Sequence, residues 1–175
     1  MSRAVPVFWV FVFNILLLAG MVEANHLLAP FGVSLHLHAL FILFAGLYLR
    51  VLHGALLAIV IGGMLDAIDT PGFGPLLFLM TALWTATVYL RLRIRREVLF
   101  QIRMSALGLQ AAFLLAATAA FGGGSFGVAA FWQRLAVDAV LSLALVTLLG
   151  PVWVHLQIRL LESFRWDIAS ERPDG

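Results

Sequence analysis

Asp66, Arg134 and Asp138 are the residues whose type and position most readily support chemistry, because each sets a charge at the edge of, or just inside, an apolar run. An acid at such an edge costs little, whereas one inside hydrocarbon is a functional candidate by default. Arg134 and Asp138 are four apart on a predicted helix and can pair on one face, with the acid near the helix N-terminus where the macrodipole favours it. Spacing by four also aligns Gly54, Ala58, Gly62 and Asp66 on one strip, and Gly108, Ala112, Ala116 and Ala120 on another. Small residues in such strips let a second helix approach closely, so the two helices that carry them are expected to pack together. Asp66 then either sits at the outer water interface beside a packing strip or serves as a ligand or partner contact. Asn14 offers a lone interhelical amide.

The histidines His26, His36, His38, His53 and His155 raise the question of haem or metal, which needs imidazoles at matched depth on facing helices. The spacing does not supply them: His36 and His38 are two apart and point to different sides of a helix, while His53 and His155 belong to the opposite membrane face. They read as interfacial histidines, with no metal or cofactor expected. The chain has no cysteine, which removes disulfides, thiolate ligands and thiol catalysis together. No nucleophile elbow, phosphate loop or catalytic carboxylate pair stands out, and the glycine cluster at 122–127 precedes an apolar span rather than following a soluble strand. No catalytic residue, and no enzyme, is expected.

The elements that must position these residues are membrane helices. Of 175 residues, 63% are hydrophobic and 11% charged, with a mean hydropathy of +1.04. Those values lie far from a soluble domain, and at roughly 20 residues per crossing the chain holds at most about six spans. The apolar runs give a single transmembrane domain over 1–175 with spans at about 5–22, 33–49, 52–65, 75–90, 98–121 and 131–156. The first run also fits a signal peptide less well than an uncleaved helix. The stretch 32–65 would be ~51 Å long as one helix, so it is expected to turn at Arg50 and His53. Loops are expected at 23–31 and 66–74, a break at Gly150-Pro151, and an interfacial helix over 154–168 with Trp166 in the headgroup layer. Ten of the eleven arginines (the N-terminus, Arg50, the cluster at 91–103 and the tail) fall on one side, and only Arg134 on the other. The positive-inside rule then makes both termini cytoplasmic. Arginine at span edges serves topology and lipid contact, so nucleic acid is not an expected partner.

The run Gly62-Gly63-Met64-Leu65-Asp66, followed by Gly74 and an apolar span, resembles the bacterial rod-shape-determining protein MreD family. The likeness spans the whole length: six spans, cytoplasmic ends, an Arg-rich loop after span four and a proline in the last span. The resemblance implies an all-α six-helix bundle related to the substrate-binding subunits of energy-coupling-factor importers. It implies a non-enzymatic scaffold of peptidoglycan synthesis, with partners of the MreC (bitopic), RodA (polymerase, with its transpeptidase) and MreB (filament) kinds. Gly62, Asp66 and Gly74 carry the family pattern, while Asp69-Thr70-Pro71 is more acidic and rigid than that pattern. The alternative is an importer subunit with an outer pocket of Asn25, His26, His36, His38, Asp66 and Asp69. Against it, importer subunits carry a small-residue stripe in their first helix, and here residues 8–13 are bulky throughout.

Overall fold

A computed structural model describes residues 4–69, 74–91 and 99–163. These contain six α-helices and one short 3-10 turn, with no strand: α1 (Ala4–Leu28), α2 (His38–Tyr48), α3 (Val51–Asp69), α4 (Pro75–Leu90), α5 (Leu99–Phe121) and α6 (Ala129–Ser163). Four of them, α1, α3, α5 and α6, are long and apolar enough to cross a bilayer. The other two are shorter. By helical rise α2 covers only ~16 Å and α4 ~24 Å, against a hydrocarbon core of about 30 Å.

Where the helices end differs from the sequence expectation in four places. The first helix runs on to Leu28 through the segment expected as a loop, because nothing in Glu23-Ala24-Asn25 breaks a helix; the 3-10 turn Ala29–Phe31, with Pro30 inside it, is the stop. The second span is helical only from His38; residues 33–37 are non-helical and follow Gly32, whose φ of 68° is left-handed. The third helix extends to Asp69 and, at 19 residues, does not need the thin section that a 52–65 span implies. The last helix passes straight through Gly150-Pro151 and continues to Ser163, so the start of the expected interfacial tail belongs to α6. Membrane helices tolerate proline because neighbouring groups re-satisfy the freed carbonyls. The Arg-rich segment beyond Arg91, the Thr70-Pro71 turn and Trp166 lie outside the described residues.

Every residue of α2 is buried, and it packs against α3, α4, α5 and α6. The most extensive contact is α3 on α4, followed by α5 on α6. This corrects the expected pairing of the two small-residue strips. Gly54, Ala58 and Gly62 are all buried in α3, but they face α2 and α4: a Cβ on Gly54 would lie 2.6 Å from Trp84 Nε1 and 2.8 Å from the Ala45 carbonyl, and one on Gly62 would lie 2.7 Å from Leu77 Cα. Gly108 and Ala112 instead lie on the exposed side of α5, with no heavy atom within 4 Å of a Cβ on Gly108, and Ala116 is half-buried. The packing face of α5 is Ile102, Ala106, Gln110 and Phe113. A periodic strip identifies a face but not its neighbour.

Because the obstacle at Gly62 is backbone rather than a mobile side-chain tip, Gly62→Leu is expected to lower stability by about 1–3 kcal/mol, the usual cost of overpacking. Gly20→Ala, with open space around the added methyl, should leave stability unchanged or slightly raised. Denaturant unfolding of both variants in mixed micelles measures the difference.

Candidate functional site

Two polar constellations sit inside the bundle, and each serves the N-terminus of one of the two short helices. At α4 the serving group is Asp66, which is 1% exposed. Its Oδ2 accepts from the N–H of Gly74 (2.9 Å) and of Leu77 (2.9 Å), and its Oδ1 from Leu76 (2.8 Å). Pro75 has no N–H to satisfy, and the Phe78 N–H returns to the Gly74 carbonyl at 2.8 Å. The first turn of α4 is therefore fully paired, with an anion at the positive end of its dipole. Gly74 reaches this geometry at φ 128°, a region that side chains strain to enter. Gly62, Asp66 and Gly74 thus form one unit: Gly62 admits the α4 backbone at Leu77, Asp66 one turn later binds its N–H groups, and Gly74 makes the corner. Asp66 is turned inward, between the end of α3 and the start of α4.

The second constellation surrounds the non-helical entry to α2. The N–H of Ser34 donates to Asp138 Oδ1 (2.8 Å), that of Leu35 to Asn25 Oδ1 (2.6 Å), that of His36 to Ser142 Oγ (2.9 Å) and that of Ala39 to Gln110 Oε1 (3.1 Å). Asn25 Nδ2 also donates to the Leu35 carbonyl at 3.1 Å. Side chains from α1, α5 and α6 therefore take the place of the helical ladder over this segment. Irregular backbone at membrane depth survives only when protein groups pair it in this way. Arg134 Nε lies 3.8 Å from Asp138 Oδ2, and its Nη2 donates to Ser34 Oγ at 3.3 Å. The Arg134 side chain is 61% exposed and that of Asp138 only 9%, so the acid is the structural member and the arginine its solvent-side screen.

Because residues 33–37 are not helical, His36 and His38 do not diverge. Their rings stack with centroids 5.6 Å apart, and His38 stacks on Phe113 at 3.8 Å. His38 is 2% exposed, inside the bundle and not on its surface. Of the other histidines, His26 and His155 are exposed and His53 is half-buried. The outer pocket of the alternative reading is partly assembled. Asn25, His36 and His38 gather around the α2 entry; Asp66 is committed to α4, His26 points outward, and the side chain of Asp69 lies outside the described residues. Among the described residues no group of three or more His, Cys, Asp or Glu is placed to hold a metal ion. Asn14 donates to the Val10 carbonyl of its own helix at 2.8 Å.

Sequence reasoning missed Ser34, Gln110 and Ser142. A signal existed for two of them: Gln110 is a lone amide midway along an apolar helix, and Ser142 follows Asp138 by one turn. Comparison of the chain with protein-family models, with curated proteins and with solved structures finds no match.

Replacing Asp66 by Asn keeps the size but leaves one oxygen for three N–H groups. A loss of about 1.5–3 kcal/mol is expected, the range for hydrogen bonds to a charged group. Amide exchange should accelerate at Leu76 and Leu77, while the N–H groups of Ser34 and His36 keep their protection; hydrogen-exchange mass spectrometry resolves the two regions.

Proposed function

We propose that this protein is a non-enzymatic scaffold of the bacterial cell-elongation machinery, seated in the inner membrane with both termini cytoplasmic. It would organise peptidoglycan synthesis with an MreC-like bitopic protein, a RodA-type polymerase with its transpeptidase, and an MreB-like filament. The observation that carries this reading is the role of Gly62, Asp66 and Gly74. The three residues on which the family resemblance rests build a single helix–corner–helix unit, which gives the pattern a physical reason for occurring together. With Asp66 turned inward, partner contact falls to outer faces. The exposed side of α5, with Gly108 and Ala112 level with the surface, suits close approach of another helix. At the α2 entry Asn25, Asp138, Ser142 and the Gln110 oxygen are occupied in holding backbone, which suits a rigid part more than a reacting one.

One observation favours the second reading, a substrate-binding subunit of an energy-coupling-factor vitamin or metal-ion importer. A helix that begins inside the bundle, after non-helical backbone lined by polar side chains, is the arrangement by which transporters hold substrates. The six-helix architecture of those subunits serves either reading.

Purification of the tagged protein from native membranes in mild detergent, with mass spectrometry of proteins and small molecules, separates the two. Recovery of an MreC-like protein or the polymerase–transpeptidase pair is the expected result; recovery of ATP-binding-cassette ATPases or a retained vitamin would overturn it. Reporter fusions at both ends should report the cytoplasmic side, as the arginine distribution requires.

A further inference from the structure

The polar groups at the α2 entry are not all used in holding backbone. Gln110 is 0% exposed, and while its Oε1 accepts from Ala39, its Nε2 has no hydrogen-bond partner among the protein groups. His38, the residue before Ala39, is 2% exposed, and neither its Nδ1 nor its Nε2 has a partner. The His38 ring lies flat on Phe113, one turn beyond Gln110 on α5, so amide and imidazole share one face of that helix. Gln110 is midway along α5, ~16 Å from either end, and the site is therefore near the centre of the bundle.

The complement of unmatched groups defines what fits. Gln110 Nε2 supplies only donors, and a neutral imidazole supplies one donor and one acceptor. A partner must accept from the amide and also donate to, or accept from, the ring. On the inner side the neighbours are apolar and offer such a partner nothing to bond: a Cβ on Gly150 would make ordinary contacts with Ala106 Cβ at 3.5 Å and Leu40 Cδ2 at 3.8 Å. Toward the outside the backbone of residues 33–37 covers the site, and half-buried His36 and Ser34 lead from it to exposed Arg134. We propose that His38 and Gln110 hold an ordered water molecule near the centre of the bundle. Buried waters take this kind of place, bridging two or more polar groups that protein atoms leave unmatched. The inference is independent of the scaffold reading, since either function is compatible with it.

Radiolysis of bound water labels the side chains beside it. The test is X-ray hydroxyl-radical footprinting of the full chain in lipid nanodiscs, in water enriched in oxygen-18. His38 and Phe113 should be oxidised with incorporation of the heavy isotope about tenfold faster than Phe44, which is equally buried but has no such neighbour. Rates at His38 and Phe113 as low as that of Phe44 would overturn the proposal. So would a retained organic molecule in native mass spectra whose removal brings labelling up. His38→Phe keeps the stack and deletes both nitrogens, so labelling of Phe113 should fall several-fold; an unchanged rate would overturn the assignment of the water to the imidazole. If that variant does not fold, the comparison with Phe44 in the unaltered chain decides alone.

Discussion

A backbone N–H shut inside a bundle of apolar helices must find its acceptor in the protein, and the rest of this fold depends on how that is met at residues 33–37 and at the start of α2. An unmatched buried donor costs about 1–3 kcal/mol. Three N–H groups in this stretch are matched by Asn25, Asp138 and Ser142, and a fourth, Ala39 in the first turn of α2, by Gln110. Those acceptors come from three helices, so pairing the segment also fixes where α1, α5 and α6 stand around α2. A helical second span would have satisfied its own backbone and imposed no such arrangement. The break therefore converts a local deficit into long-range order.

The same physics recurs at α4. The two helices too short to cross a bilayer alone are the two whose N-termini are served by side chains from elsewhere in the chain. Both run antiparallel to α3, so both begin on the same side of the bundle. The solutions differ in charge. Asp66 sets a full carboxylate against three N–H groups of a regular first turn. At α2 the acceptors are spread one per N–H, and the carboxylate, Asp138, is placed farthest out, where Arg134 reaches it. Ser142 and Gln110, deeper in, are neutral. The more fully buried of the two acids, Asp66, is thus the one that a complete helix terminus neutralises.

This distribution explains what could be read in the sequence. The number and approximate limits of the helices follow from apolar runs and arginine placement, and the buried face of α3 follows from Gly54, Ala58 and Gly62. The identity of the neighbour does not follow, because a strip of small residues looks the same whether another helix lies on it, as at Gly62, or nothing does, as at Gly108. Nor does the break before His38. Val33 to Leu37 is as apolar as the helix after it, and composition cannot distinguish a buried extended segment from a buried helix. Apart from Asn25, ten positions before Leu35, the information lay in residues 71 to 106 positions away, as single polar side chains on other helices whose purpose appears only when the segment they serve is in place.

The two functional readings differ physically in whether residues 33–37 move. For a substrate to enter from the outer side, this segment must leave its acceptors, and the three hydrogen bonds from its N–H groups must be remade by substrate or solvent. At about 0.5–1.5 kcal/mol net for each, this is a barrier that a tight ligand could offset but thermal motion alone would cross seldom. A scaffold has the opposite need: its outer faces must keep fixed angles while partners press on them. The acceptors from α1, α5 and α6 brace three of the four long helices against one buried axis, and Asp66 braces the remaining long helix, α3, to α4. All four long helices are then tied through the two short ones. That arrangement resists relative sliding, and resistance to sliding favours the scaffold over the carrier.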